Sequence, residues 1–538
     1  MKPNFLWISF EDTNPFFGCY GDSTARTENL DRLARQGCRW NRCFSTAGVC
    51  APARSAVITG MYPVSIGTHH MRTAHTNPHS PELPTPYSAV VPHYVKCFTE
   101  YFRATGYYCT NNIKTDYQFD PPVTAWDELS ESAHWRNRPD QEQPFFAVWN
   151  LGRTHESGMW PDYAADLEFD PGDMLVPPCF PDTPKVRESM ARMYTHISIN
   201  DRRLGELLEQ LEEDGLSENT YVFHWSDHGP MPRGKRWPYD SGIHVPLIAR
   251  GPGIPAEKVS DDLVSTMDLA PTMLSLAGLD IPCHMQGRAF LGDGKQPPRE
   301  YIYATRDRYD TSYDMVRAVR DSRYKYIRHY CPHLPYLLWV PYRNRHPILQ
   351  EMWRLHIEGK LDENQSAMFK PRPVEELYDT QSDPHELTNL ANEPSHSKTL
   401  ERMRRELDRW RRETGDMGDI PESEMVRRWY PEGKQPRTAP PVFIPVCAEN
   451  PGIDPAEDSA EITGPALVQL YCATQGASIA YRFEDENTDR WLLYSTPLRL
   501  EPGRYRITAK AIRIGYSESR ENSVDFSVKT KPRQEDRK

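Results

Sequence analysis

No stretch of this chain approaches the ~20 consecutive apolar residues that a membrane-spanning helix needs. The N-terminus also lacks a long apolar region followed by a small-residue cleavage site; Phe5-Leu-Trp-Ile-Ser-Phe10 reads as a first strand instead of a signal peptide. As written, the sequence predicts a cytoplasmic protein, or a periplasmic or secreted one if a leader precedes it. No long basic block interrupts a net charge of −12, the difference between 64 basic and 76 acidic residues, which argues against nucleic acid as a partner. No CxxC pair occurs among the 11 cysteines, an odd number, so neither a zinc knuckle nor a disulfide framework is expected. Most of them should be buried small hydrophobes. No residue type dominates: 38% apolar and 26% charged residues describe a soluble globular chain, and 538 residues exceed one core.

The patterning predicts three units. Residues 1–300 alternate apolar strands with amphipathic helices, the pattern of an α/β domain around a mostly parallel sheet. Strands are expected at Phe5–Phe10, Pro144–Trp149, Tyr221–Trp225 and Val245–Ala249. Helices are expected from Thr27 to Gly37, from about Arg187 to Asp214 with Gly215 closing it, and near Met267–Leu276. Residues 301–433 read as a smaller α+β subdomain with a strand at Tyr324–Tyr330 and a charged helix from about Lys398 to Thr414. Lys434–Pro441 has linker composition. Beyond it, 441–530 reads as a small β-sandwich, with Tyr505, Ile507, Ala509 and Ala511 alternating against Arg504, Arg506, Thr508 and Lys510.

Two acidic pairs follow expected strands directly: Glu11-Asp12 after the first, and Asp227-His228 after Tyr221–Trp225. Ligands of open α/β sheets bind at the carboxyl ends of strands, so the two pairs are candidates to converge on a hard cation. Each pair taken alone reads equally as solvated loop residues. The segment Val49-Cys50-Ala51-Pro52-Ala53-Arg54, running on to Thr59-Gly60, adds a cysteine just before a short helix that Pro52 can start and Gly60 can end. The N-terminus of that helix is a seat for an anion, and Arg54 adds a fixed cation with fork geometry.

Cys50-Ala51-Pro52-Ala53-Arg54 with Thr59-Gly60 resembles the type I sulfatase signature, which directs oxidation of its cysteine to formylglycine (3-oxoalanine). Phe10-Glu11-Asp12 with Gly18-Cys19-Tyr20-Gly21, and Ser226-Asp227-His228-Gly229 with Gly234-Lys235, resemble the family's two metal motifs. Glu376-Leu-Tyr-Asp379 with Asp383-Pro384 and Asn389-Leu390-Ala391 resembles its C-terminal subdomain. The resemblance spans residues 1 to about 415. It implies an alkaline-phosphatase-like α/β fold and one divalent metal, Ca²⁺ first with Mg²⁺ or Mn²⁺ as alternatives, held by Glu11, Asp12, Cys50 as formylglycine, Asp227 and His228. It further implies Arg54, Lys114 and Lys235 around the sulfate, His155 as the acid for the leaving group, and a formylglycine-generating maturation enzyme as partner.

Two positions depart from the family pattern. Asp116 stands where the family's Lys-x-His places histidine after Lys114, leaving the base for the last step between Asp116 and another residue such as His69 or His70. His228 replaces an asparagine, as in the related phosphonate monoester hydrolases. Cys43–Gly60, Gly67–Arg72 and Tyr94–Tyr117 look like bacterial sulfatases grouped with N-sulfoglucosamine sulfohydrolases. A carbohydrate sulfate or sulfamate is thus the expected substrate, a phosphodiester or phosphonate the runner-up, and glycan binding without catalysis the third reading. Tyr336, Trp339, Tyr342 and Trp353 read either as a sugar-stacking surface or as subdomain packing. The β-sandwich resembles Ig-like modules appended to carbohydrate enzymes; an isolated module of this kind can bind glycan, but a packing or spacing role is the expectation here.

Overall fold

The computed structural model describes residues 2–162, 166–448, 451–484 and 490–530. Strand β1 (Asn4–Phe10) is buried along its whole length. Leu6, Ile8 and Phe10 face one apolar layer, and Phe5 and Trp7 face the other. Both faces are covered, so the strand is written as a continuous apolar run.

The remaining strands of this region are β2 (Cys38–Trp40), β3 (Cys43–Phe44), β4 (Tyr108–Asn112), β5 (Glu128–Leu129), β6 (Phe145–Leu151), β7 (Thr220–Ser226), β8 (His244–Val245), β9 (Leu247–Arg250) and β10 (Lys258–Ser260). They build an eight-stranded sheet in the order β10-β2-β9-β7-β1-β6-β4-β5, with β3 and β8 in a separate small sheet. From β7 to β5 all pairings are parallel, while β9 is antiparallel to both of its neighbours. This is the mostly parallel α/β architecture that the patterning predicts. One expected strand, Val245–Ala249, is cut in two. Pro246 has no N–H for a ladder, so β8 pairs with β3 and β9 joins the main sheet.

The long helix spans Pro184–Glu213 and starts three residues before its expected position. Thr183 Oγ1 accepts from the Val186 N–H at 3.4 Å, and Pro184 occupies the first helical position, where its missing N–H costs nothing. Its apolar stripe, Met190 to Leu211, packs on the layer under Leu6 and Ile8.

Beyond the main sheet, Ile302–Arg306, Val316–Arg320, Tyr324–His329 and Glu375–Asp379 form an antiparallel sheet in chain order. The helix Ser397–Thr414 lays Leu400, Met403, Leu407 and Trp410 on it, against Tyr303, Val319, Tyr326 and Leu377. The C-terminal strands form a three-stranded and a five-stranded sheet. Phe443, Val468 and Leu500 of one meet Ile507, Ala509 and Phe526 of the other in a shared apolar layer, as a sandwich requires. The stretch expected to be a linker is pinned. The Thr438 N–H donates to Ser517 O at 3.0 Å, its hydroxyl accepts from the Arg513 N–H at 3.1 Å, and the Ala439 N–H donates to Thr474 Oγ1 at 2.9 Å.

Candidate active site

Because β1 and β7 are parallel neighbours, with Phe10 beside Ser226, the acidic pairs that follow them leave the sheet side by side. The Asp12 N–H donates to Asp227 Oδ1 at 3.1 Å, across 215 residues of sequence. Asp12 holds a left-handed backbone (φ 46°), a conformation that costs free energy in a non-glycine residue and gathers at functional sites.

Cys50 is the first residue of the helix Cys50–Thr59, which begins two residues ahead of Pro52 and is closed by Gly60 at φ 67°. All ten of its residues are buried, and its first residue, Cys50, meets the acids. Cys50 Sγ lies 3.1 Å from His228 Nε2. One donor atom each from Asp12, Cys50, Asp227 and His228 lie within 4.8 Å of one another. The other ring nitrogen, His228 Nδ1, is 3.0 Å from Gly229 O; with its hydrogen there, the Nε2 lone pair faces the group. Asp12 Oδ1, 3.2 Å from Nε2, accepts no hydrogen bond. An unpartnered carboxylate oxygen, a second carboxylate and an inward-facing imidazole make a donor set that fits a divalent cation. Without one, burial works against an imidazolium, but Asp227 and Asp12 outweigh it and push His228 up to about 9. Glu11 stands apart from the four: its Oε2 accepts from Lys114 Nζ at 3.1 Å.

Three cations line this group. Arg54 donates through Nε to Asp227 Oδ2 at 3.0 Å and through Nη1 to Asn150 Oδ1 at 2.8 Å. Lys235 reaches Asp12 Oδ2 at 2.5 Å, Glu156 at 3.2 Å and His155 Nε2 at 3.3 Å. Burial disfavours its ammonium, yet Asp12 and Glu156 raise its pKa well above the ordinary value. Lys114 sits between Glu11 and Asp116, 3.3 Å from the latter. Asp227 is buried, and His228 and Arg54 hold its carboxyl far below the usual range despite that burial. His155 is depressed below the ordinary histidine value, by burial first and Lys235 second.

Cys50, Lys114, Asp116 and His155 open on one cavity of about 670 Å³. Asp116, 41% exposed, is the most open of the expected residues. His69 and His70 are buried and do not line this cavity. Among the aromatics, the Tyr342 ring centre lies 6.4 Å from that of His155 and stacks with Arg72, while Tyr336 hydrogen-bonds to Glu376.

Sequence reading passed over two residues. Asn150, the last residue but one of β6, braces Arg54 and donates to Asn111 Oδ1 at 2.8 Å; its only signal is a polar residue near the end of an apolar strand. Glu156, fully buried, accepts from Arg236 at 2.6 Å, and its own N–H donates to Asp12 Oδ2 at 2.7 Å. The side chain of Glu156 thus anchors the loop that carries His155.

The Sulfatase family model matches residues 3–279, and the model for the C-terminal part of N-sulphoglucosamine sulphohydrolase matches residues 228–340. An ulvan-active sulfatase of Formosa agariphila is 41% identical, covering 98% of this chain and 92% of that protein. Human N-sulphoglucosamine sulphohydrolase is 26% identical over 77% of this chain and 90% of its own length. Among solved structures, a phosphonate monoester hydrolase from Silicibacter pomeroyi shares the fold at TM-score 0.56 and 18% identity, over 78% of this chain and 97% of that one. A structure in complex with its substrate D-glucosamine-2-N,6-O-disulfate shares it at TM-score 0.55 and 18% identity, over 79% and 100%. Among the described residues no helix is long and apolar enough to cross a membrane. With a family model covering half the chain and a relative aligned over nearly all of it, this chain belongs to the sulfatase family and is a sulfuric ester hydrolase.

Proposed function

We propose that this chain hydrolyses sulfate esters or sulfamates on a carbohydrate, with position 50 oxidised to formylglycine as nucleophile. The observation that carries the reading is Cys50 at a helix N-terminus, 3.1 Å from His228 within the four-donor group. Asp12, Asp227, His228 and position 50 would hold the metal, whose role there is to lower the pKa of a bound hydroxyl and polarise sulfate oxygens. The carboxylates suit Ca²⁺ or Mg²⁺, and the imidazole nitrogen extends the choice to Mn²⁺. A hydrated aldehyde at position 50 supplies two hydroxyls on one carbon, one to attack sulfur and one whose deprotonation lets sulfate leave.

The chain's own groups do the rest. Arg54, Lys114 and Lys235 neutralise the sulfate oxygens as charge shifts between them. His155 protonates the departing oxygen or nitrogen. Asp116, exposed to the cavity and held by Lys114, is the base that takes the last hydroxyl proton. Glu11 acts on this site by orienting Lys114. The substrate class follows from the ulvan-active relative together with a cavity of about 670 Å³, large enough for a saccharide.

The second reading, a phosphonate monoester hydrolase, is favoured by one observation: an imidazole in the donor group where the sulfatase pattern has asparagine. Parallel turnover of aryl sulfate and aryl phosphonate esters separates the two. A sulfatase shows the larger kcat/KM on the sulfate; the reverse order overturns the first reading. Protein produced with a formylglycine-generating enzyme should show the Cys50 peptide lighter than encoded, whereas ordinary sulfur oxidation makes it heavier. Cys50→Ala should retain the fold and lose turnover, and activity surviving that change removes Cys50 from the reaction.

A further inference from the structure

One wall of the cavity comes from residues 115–121, and Ser88, Tyr430 and Gln435 stand beside it. This wall and the turn that leads into it are conformationally unusual. Ile113, Asp116 and Gln118 all hold left-handed backbone, at φ 66°, 50° and 62°. Non-glycine residues stay there only when their surroundings over-determine the shape. Part of that support is local: Asn111 Nδ2 donates to Lys114 O at 3.0 Å. The rest comes from a neighbouring segment, because the Ala89 N–H donates to Gln118 O at 2.8 Å and the Asp120 N–H donates to Ser88 Oγ at 3.1 Å.

Residues 87–96 are themselves gripped from the C-terminal side. Tyr430 hydroxyl accepts from the Ser88 N–H at 2.9 Å, and Tyr87, Val90 and Tyr430 pack together with Tyr516 of the sandwich. Ile514 of the sandwich joins the apolar cluster that holds Val91 and Val95. Two left-handed glycines of the sandwich touch this backbone directly: a Cβ on Gly476 would stand 2.1 Å from His93 O, and one on Gly515 2.5 Å from Ala89 O. Lys96 Nζ donates to Gly476 O at 2.6 Å and to Ser478 Oγ at 2.8 Å. Gln435, itself in the cavity wall, donates to Gly515 O at 3.1 Å. A second anchor lies away from the cavity, where Arg490 meets the buried Asp127 carboxylate at 2.8 Å.

We propose that the C-terminal β-sandwich is a fixed clamp on the substrate cavity: it immobilises residues 87–96, and these, with Tyr430, hold the left-handed loop that carries Lys114 and Asp116. The proposal rests on the reading of this cavity as the substrate site. It makes the sandwich a positioning element of the hydrolase, in contrast to a module tethered by residues 434–441 to capture glycan elsewhere. Tyr430 and Lys96 are its positioning residues, neither of them in contact with the reacting atoms.

The test uses the full chain with Lys96→Met, which removes both hydrogen bonds that Lys96 Nζ makes to the sandwich, at a residue outside the cavity lining. Amide exchange at Ala89, Asp120 and residues 113–118 should accelerate roughly three- to tenfold, and KM for a sulfated saccharide should rise by a similar factor, the size expected for losing a hydrogen bond. Lys96→Arg should recover much of both. Exchange in 113–120 that matches wild type, with only the thermal midpoint lowered, overturns the clamp and leaves the sandwich a general stabiliser. If Lys96→Met fails to fold, Ser478→Ala applies the same two measurements with one acceptor removed. Were the unaltered protein to turn over no sulfate ester, the reading of the cavity would fall, while the exchange comparison would still judge the clamp.

Discussion

Replacing His155 with alanine tests the arrangement of the site more sharply than deleting the nucleophile, because the loss should depend on the substrate. His155 opens on the same cavity as Cys50, and its Nε2 is 3.3 Å from Lys235 Nζ. A positioned proton donor contributes about 10²–10⁴-fold to a rate. Lys235 stays beside the vacated position, and its firmly held proton still offsets charge there without replacing proton transfer. The loss for a sugar sulfate should therefore fall at the lower end, about 10²–10³-fold or roughly 3–4 kcal/mol at 1.36 kcal/mol per tenfold. A nitrophenolate leaves without protonation, so nitrophenyl sulfate should lose only about threefold or less. Burial and Lys235 depress the free imidazole below its ordinary 6.5, and an incoming anion favours its charged form. Hence wild-type kcat/KM on the sugar sulfate, which reports the free enzyme, should already fall as pH rises through a value below 6.5, while kcat, which reports the bound form, should hold to higher pH; the variant should lose both limbs. The assay is steady-state kinetics on both substrates across pH, read as kcat/KM ratios. Equal losses on the two leaving groups would refute the role of His155 and the placement of the leaving group beside it.

Asp227→Asn should release the divalent metal, measured as bound metal per chain after gel filtration. It should also lower the thermal midpoint, because breaking the buried pair with Arg54 costs about 3–5 kcal/mol. Full metal content in that variant would sink the proposed donor set. Two buried histidines should make the fold sensitive to mild acid, against buried Asp201 and Asp307, whose raised pKa values of about 6 and about 7 act in the opposite direction. His69 and His346 are buried and pushed down to about 4, chiefly by desolvation. Their folded pKa values are depressed, so the unfolded chain binds more protons; stability is full above 6.5 and is lost as pH falls toward about 4. The change in urea midpoint between about pH 7.5 and about pH 5 should shift toward greater acid stability in His346→Gln relative to wild type, and an identical change in the two proteins would contradict the buried, uncharged state of that ring.

Much of the fold was legible because its signals are local. The continuous apolar run at Phe5–Phe10 announced a strand covered on both faces, and Gly215 marked the end of the long helix. Boundaries were misread where a single residue outweighed the pattern. Pro246 cut one strand into two sheets, and Thr183-Pro184 started the long helix early. Composition marked 434–441 as a linker, yet Thr438 is buried and hydrogen-bonded, because flexibility depends on what a segment lies against.

The sequence by itself determined the chemistry available: a cysteine opening a helix, acids closing two strands, and the order of motifs shared with sulfatases. Only the tertiary structure decided which of these groups meet. Strand order set β1 beside β7 and so brought Asp12 to Asp227, while the same geometry turned Glu11 toward Lys114 and out of the four-donor group. Glu156 and the grip of the sandwich on residues 87–96 have no local signature, because each depends on packing between segments far apart in the chain. Periodicity and capping are written within a dozen residues; the distance between two side chains hundreds of residues apart is fixed only when the whole core closes.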